Sequence, residues 1–441
     1  MVQGEEACAK VGTAIRGGRP KFAWATIASV FLYMLAPILQ GQKMCLQAVG
    51  MENLIPNLVA FNLFKMGLGM QRCRRVDDIW DDQAFQYHPN LSKLLKRPRY
   101  YKLLKHANVD VCILVKWCSA VWSDCWIPGE AMAGDEMLVP FKGHSAGPIR
   151  QYIPRKPHNT GIKLYALVDS MNIFCIDLYL YTSTAVIEHP TSHSGALGPR
   201  GIVQHWHAHL PPKVVLLCDS FFGTHASAEF CSVFRRPFVF LVKRDAQCVS
   251  DTPPTLPSGH MVSCTFVEYK YSLHVYKNPA VGSKAPRLVP LLSNCEFDPT
   301  WPVHKRGYTV PPPIGFYRKH ANGVDTMDQL ALQHREVGRH TTWSRAVRSF
   351  VLRVALVNTF TVCKKLGLTS SSTTLYEFQQ HLLQIFPPEI FGVPNAPSLH
   401  CPKTDSRRRR CKACNKGTTH IYCVGCRKHL HLACFARYHN C

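Results

Sequence analysis

Acidic residues are scarce in this 441-residue chain: 28 Asp and Glu stand against 52 Lys and Arg, for a formal net charge of +24 before any histidine protonates. That imbalance excludes a neutral, general-purpose surface and points to a polyanionic partner, nucleic acid first and anionic membrane second. Charge of either sign is sparse too, at 18% of residues against 46% apolar. This excludes a disordered chain and implies two or three folded domains at this length. No internal repeat is found. Closely paired cysteines are missing except at the end, where seven of the twenty fall in the last 41 residues. The other thirteen are scattered singly, as at Cys45, Cys118 and Cys295. Such scatter excludes a secreted disulfide framework and reads as reduced, apolar thiols in a reducing compartment.

Long uncharged runs are also missing, with one exception. Phe22 to Leu39 carries no charge over 18 residues and follows Arg16, Arg19 and Lys21. The run reaches the minimum for a membrane span. Thr26, Ser29 and Pro37 within it favour a buried helix, and no membrane association is expected.

What is present divides into segments. Residues 1–50 show no pattern beyond that run. Residues 51–130 alternate apolar and basic clusters, as in Lys93 to His106, and read as amphipathic helices for DNA binding or dimerisation. Residues 131–245 hold short β-rich runs, among them the continuous apolar strand Val214 to Leu217. Residues 246–315 are Pro-rich with shorter strands, an insertion or a small β module of their own. Helical patterns return over 316–386, a Pro-bearing linker follows over 387–406, and a cysteine-rich segment closes the chain over 407–441.

In a chain this poor in acids, three stations stand out. Asp135 and Glu136 precede an apolar stretch, Asp219 ends the strand VVLLCD, and Asp325 and Asp328 share a helical face at i,i+3. Strand ends of α/β sheets collect functional groups. Clustered carboxylates suit Mg²⁺ or Mn²⁺, and two such ions about 4 Å apart serve phosphoryl transfer. Singly, each aspartate also reads as a helix cap, a strand-end turn or a salt-bridge partner.

These stations lie in strings that resemble the piggyBac transposase family. DEMLVPFKGHS and QYIPRKPHNTGIKLYALVDS (Asp135 to Ser170), CDSFF (Cys218 to Phe222) and GVDTMDQ (Gly323 to Gln329) occur in order, with 84 and 106 residues between successive aspartates. The resemblance implies an α/β fold: a ribonuclease-H-like catalytic core with an inserted β-rich domain, an N-terminal helical region and a C-terminal cross-brace zinc finger. It implies a metal triad of Asp135, Asp219 and Asp325, with Asp328 as a further acid, acting in DNA strand cleavage and transfer. It further implies double-stranded DNA as partner, transposon ends and a TTAA-type target, and Trp343 handling the transposon end. A homodimer and a nuclear location are expected. Lys142, Arg155, Lys156, Lys163, Arg407, Arg408, Arg409 and Arg410 are the expected DNA-contacting cations. The chain departs from the family at Ser220, where Asn is usual, at His144, where Arg is usual, and at Leu164, where an aromatic is usual. The alternative reading is a catalytically inactive DNA- or chromatin-binding derivative of a transposase.

The tail spacing supplies eight candidate ligands in 31 residues, enough for two tetrahedral zinc ions. Alternating pairs suggest Cys411, Cys414, His431 and Cys434 on one ion, and Cys423, Cys426, His439 and Cys441 on the other. His429 competes with His431 for its place. A segment of this size cannot bury a core, so metal would supply its folding energy. The run QHWHAHL reads as an exposed polar strand with His205, His207 and His209 on one face, a weaker zinc candidate.

Overall fold

The structure, a computed structural model, describes residues 10–11, 18–21, 26–51, 54–70, 76–80, 89–154, 156–182, 194–244, 246, 249, 256–280, 285–297, 303–305, 308–333, 340–386, 402–423, 428–431, 434–435 and 438. The chain forms two compact units. One holds residues 1–19, 127–137 and 164–326, the other residues 20–126, 138–163 and 327–441.

The first unit is built on a mixed sheet. Its strands run in the order Met261–Phe266, Tyr271–Asn278, Arg287–Ser293, Phe238–Leu241, Val215–Cys218, Ala131–Pro140, Thr160–Asp169, Phe174–Tyr181 and Ser194–Gly195. Val215–Cys218 pairs in parallel with both neighbours, and every residue in it is buried. An unbroken apolar run is what a strand covered on both faces requires. Met261–Phe266, Tyr271–Asn278 and Arg287–Ser293 are antiparallel and join this same sheet through Arg287–Ser293, whereas Val303–Lys305 and Tyr308–Val310 pair in a two-stranded sheet of their own. The first three continue from the edge of the buried strand Phe238–Leu241. On one face, Ile314 and Phe316 of the helix Pro312–His320 close a core with Val215, Leu217, Val239 and Leu291.

The histidine run is a helix and not the strand expected of it. Pro199–His209 begins after the N-cap Gly198 with Pro199 in its first turn, where proline's fixed φ and missing N–H cost nothing. Ile202, Val203, His205 and Trp206 are its buried residues. Arg236, 2% exposed, seals the far end by donating to the carbonyls of His207, Leu210, Pro211 and Val214. Carbonyls at and just beyond the helix end thereby answer the buried charge.

The second unit is helical, with Ile27–Gln47, Leu54–Met70, Arg97–His106, Val111–Cys125, Trp343–Lys365 and Leu375–Ile385 as its main elements. Side-chain caps start several of them: Thr26 with Ser29, Asp110, Thr342, and Thr374 with Glu377. Each satisfies an orphan first-turn N–H. From Ile27 onward the uncharged N-terminal run is the first part of a buried helix, with Val30, Phe31, Met34 and Leu35 fully enclosed. Among the described residues, Trp343–Lys365 alone is long and apolar enough to cross a membrane, and 94% of its apolar window is buried, as in a core helix. The tail folds as a hairpin of Pro402–Arg410 and Thr418–Cys423 over a small core of Cys411, Cys423, Leu430 and Phe435.

Candidate active site

Sheet register assembles the acids. Gly134 pairs with Cys218 across two parallel strands, so the next residues, Asp135 and Asp219, emerge side by side. Gly134 has no room for a side chain: a Cβ there would lie 2.4 Å from the Trp206 ring. Beyond Asp219 the chain turns at once. Phe222 and Gly223 donate to the Asp219 carbonyl, and Phe221 N–H donates to its Oδ1 at 2.9 Å. A Cβ on Gly223 would lie 1.8 Å from the Leu241 carbonyl oxygen, so this turn needs glycine. Asp135 Oδ1 in turn accepts from Glu136 N–H at 2.7 Å.

Asp135, Glu136 and Asp219 are half-buried, and each brings a carboxylate oxygen within 4.8 Å of the others. Three such charges repel by about 3 kcal/mol per pair at an effective dielectric of about 20. A cation relieves that cost, and donors that are all oxygen fit a hard divalent ion. Asp325 opens the helix Gly323–Gln333, is exposed, and stands outside this group of three. Its field nevertheless reaches the same place. Burial pushes the Tyr317 phenol well above its ordinary range, and the charges of Asp219, Asp135 and Asp325 push it further. Tyr317 is thus a neutral hydroxyl that feels the charge of all three aspartates. Asp328, one turn after Asp325, is buried at 9% exposure and belongs to the second unit.

Glu136 as third oxygen donor and Tyr317 as neutral neighbour were not evident as a set in the sequence. Glu136 had only its adjacency to Asp135, and Tyr317 had no signal beyond its place eight residues before Asp325. One turn past Tyr317, His320 is fully buried, and neither ring nitrogen has a hydrogen-bond partner among the described residues. Burial, helped by the Lys319 charge, lowers it to about 4.

The expected DNA-contacting residues lie in the second unit. Lys142 is exposed, Lys156 and Lys163 are half-buried, and Arg155 lies outside the described residues. Trp343 is half-buried in the first turn of its helix. Arg408, Arg409 and Arg410 are exposed on the tail hairpin, and Arg408 donates to His420 at 2.8 Å. Arg407 lies on the same strand, and its side chain is outside the described set.

In the tail, Cys411, Cys414, His431 and Cys434 hold their ligand atoms within 4.8 Å of one another. His431 faces Cys414 Sγ at 3.4 Å, whereas His429 is buried with its ring against Tyr422. Burial pushes the Cys411 thiol up, but the N–H groups of Cys414, His431 and Ala413 outweigh it and bring Cys411 down to about 6. Thiolate at neutral pH is the form zinc binds. Burial and its cysteine neighbours raise Cys434 to about 11. Of the second expected set, Cys423 is buried beside this cluster, and Cys426, His439 and Cys441 lie outside the described residues.

A family model described as Transposase IS4 matches residues 56–360, more than half of the chain. The chain belongs to the Transposase IS4 family. The matched span includes Asp135, Asp219, Asp325 and Trp343, and ends before the cysteine tail. A Transposase IS4 member implies a divalent metal at its acidic group, and the oxygen donors described above fit one. The fold is similar to that of a piggyBac transposase solved in a synaptic complex with hairpin DNA. The TM-score is 0.68 at 18% identity, covering 86% of this chain and 85% of that one. A search of curated proteins finds no match.

Proposed function

We propose that this transposase-family chain cleaves and joins DNA strands through a divalent-metal site built from Asp135, Asp219 and Asp325, with Glu136 beside them. The observation that carries the reading is the register that sets Asp135 against Asp219, with Glu136 in the same group of oxygens. A ribonuclease-H-like core is supported by the strand order. An antiparallel pair flanks Ala131–Pro140 on one side and two parallel strands flank it on the other.

Divalent ions held there, Mg²⁺ in the first instance, would activate a hydroxyl for attack on a phosphodiester and stabilise the departing oxygen. The chain's own residues supply the frame. Backbone N–H groups of Glu136 and Phe221 each hold one oxygen of Asp135 and Asp219, which orients the other oxygens. Tyr317 stays protonated and is a donor for a phosphate oxygen. Double-stranded DNA is the substrate in this reading. Lys142, Lys156, Lys163 and the arginines of the tail neutralise phosphates, and Trp343 stacks on an unpaired base. Zinc on Cys411, Cys414, His431 and Cys434 folds the tail. A nuclear location and a homodimer belong to the same proposal.

The test is cleavage of DNA carrying the element's own flanking ends, with and without Mg²⁺. Metal-dependent nicking by the wild type, lost in Asp135→Asn and Asp219→Asn while DNA binding persists, is the expected result. Tight binding without any nicking by the wild type would leave a DNA-binding protein with no strand chemistry.

A further inference from the structure

A second titratable cluster in the first unit lies apart from the group of three carboxylates. Asp177 lies in the middle of the strand Phe174–Tyr181 and is 0% exposed. A carboxylate in so apolar a strand costs several kcal/mol unless something answers its charge. The other fully buried acid of this sheet, Asp169, shows the ordinary answer. It accepts hydrogen bonds from the N–H groups of Gly129, Met171 and Asn172 and from the Asn172 amide, at 3.0–3.2 Å. Asp177 faces two imidazoles. His205 Nε2 lies 2.9 Å from Asp177 Oδ2, and both side chains are buried. One helical turn on, at i+4 and on the same face, His209 completes a set whose ligand atoms all lie within 4.8 Å of one another.

The tautomer of His209 is settled by its partner. His209 Nδ1 lies 2.8 Å from the His205 carbonyl oxygen, which can only accept, so Nδ1 carries the hydrogen. In the neutral ring Nε2 then keeps the lone pair. A ring fixed in this way through a backbone carbonyl is the arrangement that readies a histidine for a metal. Paired histidines at i,i+4 on a helix are a recurring zinc-binding spacing. His207, between them, points elsewhere: it meets Arg236 and the rings of Phe230 and Phe234.

We propose that Asp177, His205 and His209 bind one zinc ion that pins the helix Pro199–His209 to the sheet. Two nitrogens and one oxygen suit zinc, whereas magnesium favours oxygen alone. The ion takes the place of the hydrogen that His205 Nε2 shares with Asp177, and water fills the fourth tetrahedral position. The proposal does not rest on the DNA-cleaving reading and stands or falls separately from it.

The test counts zinc in the full-length protein, purified without a histidine tag, by elemental mass spectrometry. Asp177→Asn and His209→Ala are each expected to lower zinc by one atom per chain. Cys414→Ser, which strikes the tail, should lower it independently, and the two losses should add in the double variant. Asp177→Asn keeps an acceptor for His205 and His209 is only half-buried, so both variants are expected to fold, which circular dichroism verifies. Returning zinc to metal-stripped protein should raise the thermal midpoint of Cys414→Ser but not of Cys414→Ser/His209→Ala. Unchanged zinc content in folded Asp177→Asn and His209→Ala would overturn the proposal.

Discussion

Two clusters of the first unit make an instructive pair, one of three carboxylates and one of a carboxylate with two imidazoles. Asp135, Glu136 and Asp219 are half-buried, carry charge of one sign and gather where the parallel pairing of two strands ends. Asp177 and His205 are buried and satisfy each other in part even without an ion. A half-buried group that repels itself exchanges metal readily and presents it to a substrate. A buried group with an internal partner keeps its ion and lends it to stability. Accessibility and the sign of the neighbouring charges, more than the number of acids, separate a place for chemistry from a place for support.

The sharpest way to break this comparison is Asp219→Asn. It should reduce Mg²⁺-dependent DNA cleavage by more than about 100-fold, since even loss of a metal ligand's outer partner costs up to that much. The same change should leave thermal stability level or slightly raised, because it removes like-charge repulsion. Asp177→Ala should do the reverse, lowering the thermal midpoint because the buried His205 loses its carboxylate. A midpoint that falls equally in both variants would erase the distinction.

Gly223→Ala tests whether the carboxylate pocket depends on its turn. The new methyl meets the Leu241 carbonyl, and overpacking of this kind costs about 1–3 kcal/mol, read as a drop in thermal midpoint. Cleavage should fall with it, because Asp219 moves with the turn. An alanine variant with unchanged midpoint and rate would show that the turn relaxes freely.

Acid is a gentler probe. His320 is lowered from 6.5 to about 4 in the fold, on the helix that also carries Tyr317. Between these values the unfolded chain binds a proton that the folded chain refuses. Stability from this residue is therefore present above pH 6.5 and lost progressively as pH falls toward 4, by up to about 3 kcal/mol. His274, also lowered from 6.5 to about 4, acts in the same direction. His320→Phe should flatten the fall of thermal midpoint between pH 7 and 5, and an equally steep curve would remove His320 from the account.

The smallest effect is expected outside both clusters. Alanine at Arg408, Arg409 and Arg410 together should weaken DNA binding uniformly and reduce the slope of log affinity against log salt by up to about three. Binding that ignores salt would point to a partner other than nucleic acid.

Local signals in the sequence were legible, and lateral ones were not. Val214 to Leu217 ending in Asp219 reads directly as a buried strand with an acid at its carboxyl end. The spacing of Cys411, Cys414, His431 and Cys434 anticipates the cluster that forms. QHWHAHL misleads because its histidines alternate with period two, the signature of a strand. The helix is decided by Pro199 at its start and by Ile202, Val203 and Trp206, which need one buried face. Neither Asp135 against Asp219 nor Asp177 against His205 can be read locally. The first depends on strand pairing across 84 residues and the second on a helix settling over a sheet.

Because Asp135 and Asp219 meet through the Gly134–Cys218 pairing, the length of chain between them is immaterial to how they meet. Insertions in the intervening loops should be absorbed with the acids still adjacent. A slip of a single residue between the two strands would part them, since successive side chains point to opposite faces. Two fragments severed in one of those loops and refolded together would therefore rebuild the same pair of carboxylates from separate chains.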